Sequence, residues 1–359
     1  MATLTDEEQA IEEKKASESL WKLAWKRLKK NTGAMIGLWI IGILVVVALL
    51  APIIRPVDPT LQVLEYSVKP SFFKGSLLLK KNVSRPDEPL QIPIQSYSVV
   101  GDTVRYTDFT GAPMTIAKSE LIGNSESDWH TTPTYILGTD QYGRDMLSRL
   151  MYGANISLRV AIVSQLIALA IGVVLGALAG FFRGWVDDVI MWFVNVVWSF
   201  PTILLAIALS VVLGKGLFPT FVAIGVSSWV DIARIVRGQF FSLREQEYVE
   251  ATKALGYGTF RTIFRHMLPN AFGPIIILAT AGFASAIIAE ASLSFLGLGV
   301  QPPTPSWGQM INDGRGFIAS GTNWGMTLYP SITIALAVFG FNLLGDGLRD
   351  ALDPKSIQR

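Results

Sequence analysis

Residues 34–54 read AMIGLWIIGILVVVALLAPII, twenty-one positions without a charge. A chain crossing a ~30 Å hydrocarbon layer must hydrogen-bond every peptide group internally, which takes ~20 apolar residues wound as a helix. The stretch is therefore a membrane span. It begins after thirty-three residues, is too long for the apolar region of a signal peptide and lacks a small-x-small cleavage site, so it is expected to stay as an anchor. Four further segments have the same character: 160–182, 189–213, 271–289 running on past Glu290 towards 298, and 324–345. A sixth, 217–235, is apolar for fourteen residues until Asp231 and Arg234 intrude. Composition agrees: half of the 359 residues are hydrophobic and 16% charged, where a soluble domain carries about 25%. The mean hydropathy is +0.42.

Outward from that span, residues 18–30 place Leu20, Leu23, Ala24 and Leu28 on one helical stripe, with Trp21 and Trp25 suited to the headgroup zone. An interfacial helix is expected there. The segments 1–33, 183–188, 234–270 and 346–359 fall on one side of a six-span layout and hold 17 of the 30 Lys and Arg. The short loops opposite hold Lys215 and Arg315. Retention of positive charge inside the cell predicts that both termini are cytoplasmic. Residues 56–137 then form a long external insertion rich in Pro, Ser, Thr and β-formers. Within it LQIPIQSYSVV and TVRYTDF flank Gly101-Asp102, a two-residue hairpin signal that puts Tyr97 and Val99 on a face with Val104 and Tyr106.

Several classes of function are excluded by what is scarce. With no cysteine, disulfides and thiol chemistry are out of reach, and two histidines 136 positions apart, His130 and His266, make a poor metal site. A net charge of +2 gives no basis for a nucleic-acid partner. Gly214-Lys215-Gly216 lacks both the upstream glycine and the hydroxyl of a phosphate-cradling loop, so the chain is not expected to hydrolyse ATP and no catalytic residue is assigned.

The stretch 236–269, VRGQFFSLREQEYVEATKALGYGTFRTIFRHMLP, divides in two. Tyr248, Ala251, Thr252 and Leu255 recur at helical spacing away from Glu247, Glu250 and Lys253; Phe260, Ile263, Phe264 and Met267 do so after Gly256 and Gly258. The spacing predicts a helix of about three turns, a glycine bend and a second helix stopped by Pro269. Glu250-Ala251, Gly256 and Leu268-Pro269 resemble, in order and spacing, the EAA motif of permease subunits in ATP-binding-cassette importers. The segments 138–158, 198–209, 233–256, 266–275, 291–311 and 345–354 widen that resemblance to the C-type permease of oligopeptide, dipeptide and nickel importers. Two departures, Thr252 for the second alanine and His266 where isoleucine is common, leave the match intact.

The resemblance implies an all-α polytopic protein of the type I importer permease kind, with six transmembrane helices and a small β-rich extracytoplasmic insertion between the first two. The insertion looks longer than is usual in the family. The expected layout is a cytoplasmic amphipathic segment (1–33), a first helix (34–55), the insertion (56–137) and a permease core (138–359) holding the coupling loop 236–269. Implied partners are a second homologous permease, two cytoplasmic ATPases that use ATP and Mg, and an extracytoplasmic solute-binding protein, in the bilayer of a bacterial or archaeal inner membrane. Coupling to the ATPases is expected at Glu247, Tyr248, Glu250, Ala251, Thr252, Leu255, Gly256, Leu268 and Pro269. Polar residues inside spans are costly and mark a candidate translocation path: Asn195, Trp198, Glu290 and Asn342. Glu290 either faces the cavity, where it would meet the amine of a peptide, or is hydrogen-bonded to a neighbouring helix. An ion-coupled transporter or channel, the rival reading, would need intramembrane acid–base pairs or an inverted repeat; neither is evident in the sequence.

Overall fold

A computed structural model describes residues 20–84, 89–320 and 322–352. The expected cytoplasmic ends, 1–19 and 353–359, lie outside the described residues. Among those described, helix α1 (Leu20–Leu28) leads into α2 (Thr32–Ile54), whose first turn is capped by Asn31 accepting from the Ala34 N–H at 3.0 Å. The apolar stripe of α1 does not lie on lipid alone. Ala24 and Leu28 are buried against Ala34 and Ala351, close to Leu344 and Leu348 near the chain's last described turn.

Beyond α2 the chain builds a β lobe. Strands β1 (Phe73–Lys74) and β7 (Thr134–Tyr135) pair with each other. Strands β2 (Leu77–Lys80), β3 (Leu90–Val100), β4 (Thr103–Asp108), β5 (Pro113–Ala117) and β6 (His130–Thr131) form an antiparallel sheet ordered β5-β4-β3-β2-β6. The expected hairpin is present, with Tyr97 opposite Tyr106, Val99 opposite Val104, and Gly101 at φ +57° in the turn. Leu78, Ile94, Val104, Ile116, Leu121 and Trp129 give the lobe its own core. Trp129 sits on the short helix α3 (Glu126–Trp129).

The remaining chain is helical: α4 (Met146–Phe182), α5 (Gly184–Trp198), α6 (Thr202–Leu213), α7 (Leu217–Ser227), α8 (Trp229–Arg244), α9 (Glu247–Ala254), α10 (Thr259–Arg261), a π turn (Thr262–Met267), α11 (Leu268–Phe295), α12 (Trp307–Ala319) and α13 (Gly325–Leu352). Five stretches among the described residues are long and apolar enough to cross a membrane: Thr32–Ile54, Met146–Phe182, Leu217–Arg244, Thr259–Phe295 and Gly325–Leu352. A sixth arises if α5 and α6 count as one span, but they meet at 87°. The expected straight crossing at 189–213 is thus broken at Ser199-Phe200-Pro201. Pro201 has no N–H to continue the ladder, and Ser199 turns its hydroxyl back on the Val196 carbonyl at 2.6 Å. Neither half, at ~22 and ~18 Å, covers the hydrocarbon layer unaided.

Small residues set the closest packing. Gly172, Gly176 and Gly180 make a stripe on α4 that receives α8. A β-carbon on Gly176 would stand 2.5 Å from the Ala233 carbonyl oxygen, and one on Gly180 2.5 Å from Phe240 Cβ. Backbones at this separation gain dispersion contacts that lipid cannot match. Gly37 of α2 meets α13 in the same manner, its would-be β-carbon 2.6 Å from the Gly340 carbonyl oxygen.

Three boundaries differ from expectation. Span two begins at Met146 rather than near 160, because its first turns, though polar, are buried against the lobe side of the bundle. Span four runs to Arg244, well past 235. Its last two charges are met by neighbours: Arg237 grips Asp187 through two bonds of 2.5 and 2.6 Å, and Arg244 donates to the Phe181 carbonyl at 2.6 Å. Finally, Pro269 does not stop a helix, and Thr259–Phe295 is continuous over 37 residues. The π turn before the proline makes this possible, with the Leu268 N–H reaching back five residues to the Ile263 carbonyl.

Candidate functional site

Two places combine exposure with chemistry: the hairpin between spans four and five, and a cavity walled by the broken span.

In the hairpin, α9 closes on Gly256 at φ +74°, a left-handed conformation that side-chain-bearing residues resist. The Tyr257 N–H bonds to the Thr252 carbonyl at 3.0 Å and Leu255 N–H to that of Ala251 at 3.0 Å, so the glycine ends the helix while its last carbonyls stay satisfied. Of the expected stripe of Tyr248, Ala251, Thr252 and Leu255, Thr252 alone packs inward. Val249 and Thr252 are buried against Thr262, Ile263 and Met267, while Tyr248, Ala251 and Leu255 are exposed with Glu247 and Glu250. Leu255 is 69% exposed and Phe260 74%. Phe260 and Phe264 sit ring against ring at 4.4 Å on the same part of the hairpin. Thr252 accounts for its own departure from alanine: its hydroxyl donates to the Val249 carbonyl at 2.7 Å and lies 3.4 Å from the Thr262 hydroxyl, which ties the two halves together. Leu268 is half-buried and Pro269 exposed. His266 stacks flat on Tyr257, and the Arg261 guanidinium lies 4.2 Å from the centre of the same tyrosine ring.

The cavity, of about 540 Å³, lies among α4 to α8 and α11. Trp198, Phe200 and Ile203 line one wall at the break, Gln165 and Gly282 another, and Asp231 with Ser227 and Ser228 a third. Of the expected path residues Trp198 is thus in the wall. Asn195 stands one turn before it and accepts from Arg234 at 2.8 Å, while the Arg234 guanidinium lies 3.9 Å from the centre of the Trp198 ring. Glu290 and Asn342 are elsewhere. Asn342 is exposed on α13. Glu290 is fully buried between helices, accepting from Ser157 of α4 at 2.9 Å and from Ser294 at 2.7 Å. Ser157 in turn meets the Trp307 N–H at 3.4 Å, so the carboxyl joins α4, α11 and the start of α12.

Reasoning from sequence overlooked a third feature. Asp140, Arg144, Arg149 and Asp313 form a buried ionic cluster at the lobe end of the bundle. Arg144 bonds Asp140 at 2.6 Å and Asp313 at 2.9 Å, and Arg149 lies 3.3 Å from Asp140. The two arginines are 2% and 1% exposed. The cluster depends on α12, which reads as a polar loop between spans because only one face of its thirteen residues is apolar. The sole sequence clue was the density of charge in GTDQYGRDMLSR at 138–149.

A bundle of spans around a wall-lined cavity, with a solvent-facing hairpin strung between two of them, is the membrane portion of a transporter. Residues 172–358 match the family described as binding-protein-dependent transport system inner membrane component, and 19–71 match the N-terminal transmembrane domain of oligopeptide transport permease C. The chain belongs to this family of multi-pass permease subunits. It is 37% identical over 344 residues to the dipeptide transport system permease protein DppC of Alkalihalophilus pseudofirmus, covering 96% of this chain and 93% of that one. It is 36% identical over 342 residues to the oligopeptide transport system permease protein OppC of Bacillus subtilis, covering 95% and 92%. It is 42% identical over 233 residues to the glutathione transport system permease protein GsiD of Pectobacterium atrosepticum, covering 65% and 74%. The two family models leave residues 72–171, which hold most of the β lobe, unmatched.

Proposed function

We propose that the chain is one of two permease subunits of an ATP-driven importer for peptides or related small solutes, and that the α9 hairpin is the surface its ATPase grips. The observation that carries this is the outward face of α9: Tyr248, Ala251 and Leu255 present apolar surface beside the carboxylates of Glu247 and Glu250, on a hairpin fixed from behind by Val249 and Thr252. An amphipathic helix laid into a groove is a recurring recognition mode, and a rigid presenting element lowers the ordering cost of docking. Dipeptide, oligopeptide and glutathione relatives support the solute class.

In this reading the hairpin side, with both termini, is cytoplasmic, and the lobe is extracytoplasmic, where a solute-binding protein delivers cargo. A homologous second permease completes the pathway. ATP and Mg act in two ATPase subunits, and their closure reaches the membrane through the hairpin. Such closure can shift the helices between two arrangements only by the difference in its affinity for them. Trp198 and Asn195 border the path, and Gly256 supplies the backbone geometry of the grip.

Co-purification with the cognate ATPases tests the proposal. Glu250→Arg reverses a charge on the exposed face and Gly256→Trp forces a side chain into φ +74°. Both variants are expected to lose ATPase association and solute uptake while the chain still inserts. Retention of both activities in both variants would overturn the assignment, as would labelling that places the hairpin outside the cell.

A further inference from the structure

Asp231 is the one acidic side chain lining the cavity, and no Lys, Arg or His lines it. Its depth follows from the α4–α8 seam. Gly172 packs on the Trp229 carbonyl and Ile232, the neighbours of Asp231, and lies ten residues before Phe182 at the end of α4. At 1.5 Å per residue that is ~15 Å from the end of the helix, about half the hydrocarbon thickness. A carboxyl at such depth is costly without a partner, and among the described residues Asp231 makes neither an ion pair nor a side-chain hydrogen bond. The cation within reach on its own helix, Arg234 at i+3, is turned away. Its guanidinium is held by Asn195 at 2.8 Å and stacked on Trp198. The Asp231 side chain is exposed on the cavity wall instead.

On another wall stands a second unsatisfied group. Gln165 is 3% exposed and its Nε2 is buried without a partner. Gly282 makes room for that amide: a β-carbon there would come within 2.3 Å of Gln165 Nε2. The cavity therefore offers an anion on α8, a buried amide without a partner on α4 and apolar surface between them.

We propose that Asp231 binds the cationic end of the solute during passage, receiving a primary ammonium such as a peptide's amino terminus, while the Gln165 amide takes one of the solute's carbonyl oxygens. This rests on the importer reading above and adds to it a binding residue and a chemical class. A solute carrying net negative charge meets only Asp231 and is disfavoured. The amine-binding role open to Glu290 on sequence grounds passes to Asp231, since Glu290 is satisfied by two serines away from the cavity wall.

The test uses proteoliposomes holding the complete complex, with its external binding protein and trialanine as cargo. Asp231→Asn is expected to lower trialanine uptake about tenfold while hydrolysis stimulated by loaded binding protein stays within about twofold; tenfold corresponds to about 1.4 kcal/mol. Asp231→Glu keeps the charge and is expected to retain at least half of the uptake. Wild-type uptake by Asp231→Asn overturns the proposal, and so does equal loss in both variants with hydrolysis lost as well, which is a structural defect. A second measurement uses the absence of native cysteine in this chain. In Asp231→Cys, with cysteine-free partners, a membrane-impermeant thiosulfonate is expected to modify the thiol, and trialanine during turnover to slow the reaction. An unreactive thiol overturns the proposal. Failure of the wild-type complex to take up trialanine, with the thiol still reactive and its modification slowed by a non-peptide primary amine such as putrescine, removes the peptide reading and leaves the site standing.

Discussion

The two ends of the helical bundle handle charge in opposite ways. At the lobe end Asp140, Arg144 and Arg149 are almost wholly buried and paired with one another and with the partly buried Asp313, to which Gln309 adds a bond at 3.0 Å. At the hairpin end Glu247 and Glu250 stand in solvent beside Leu255 and Phe260, apolar groups with nothing over them. The first end is complete within one chain. Under the proposal above, the second is completed by the ATPase that covers it. Burial thus separates residues that hold the subunit's shape from residues kept available for a partner, although both groups are equally charged in the sequence.

The largest effect that could break this contrast is at the closed end. Asp313→Ala leaves Arg144 and Arg149 sharing one carboxylate in a buried site, and removing one partner of such a cluster costs about 3–5 kcal/mol. A drop of many degrees in the thermal midpoint of the detergent-purified chain is expected, and an unchanged midpoint would mean that the lobe end is not closed. Gly176→Leu comes next. It drives a side chain into the Ala233 backbone and is expected to cost about 1–3 kcal/mol through overpacking, seen as increased protease sensitivity of the α4–α8 pair.

At the open end the prediction reverses. Leu255→Ala with Phe260→Ala is expected to change the chain's own stability by no more than about 0.5 kcal/mol per site, as exposed positions do, while weakening ATPase binding roughly tenfold. Pull-down titration beside a melting curve separates the two effects. If the melt falls as far as for Asp313→Ala, the hairpin face is structural and the contrast fails.

The smallest effect belongs to the lobe. Partial burial holds the His130 imidazole below its ordinary pKa, opposed by nearby Glu126. Hydrogen bonds from Ser125 and then Asn124 hold the Asp128 carboxyl low as well. Both groups bind protons more readily when unfolded, so the stability they lend is present above the unfolded pKa and fades as pH falls, first for His130 below ~6.5 and later for Asp128 below ~3.9. Amide exchange in Thr103–Asp108, corrected for intrinsic rate, is expected to be modestly faster at pH 5 than at pH 7. No change in that window would remove His130 from the account.

Sequence made the spans legible because the bilayer demands long apolar runs, and the Gly-Asp turn gave the β3–β4 register because so few residues accept φ near +57°. It also located the hairpin and its glycine. Periodicity grouped Tyr248, Ala251, Thr252 and Leu255 on one stripe but did not say which side of α9 meets the rest of the chain. Tyr248 and Leu255 stay exposed, while Val249 and Thr252 are the residues buried against the second half of the hairpin. The right-angled break at Ser199-Phe200-Pro201 escaped for a similar reason, since proline is common in membrane helices and only packing decides whether it kinks or severs one. Asp231 read as the spoiled end of a weak span. Its meaning depends on where Arg234 points, and no spacing rule specifies that.

The helix from Thr259 to Phe295 has no joint at the membrane surface. A rod of 37 residues is ~55 Å long, so tilting it by about 10° around its midpoint sweeps each tip through roughly 5 Å in opposite directions. Near the far tip Glu290 is fastened to Ser157, and through it to the Trp307 amide that begins α12. A tilt of this rod at the hairpin end would therefore carry Glu290 and the helices bonded to it along at the far end.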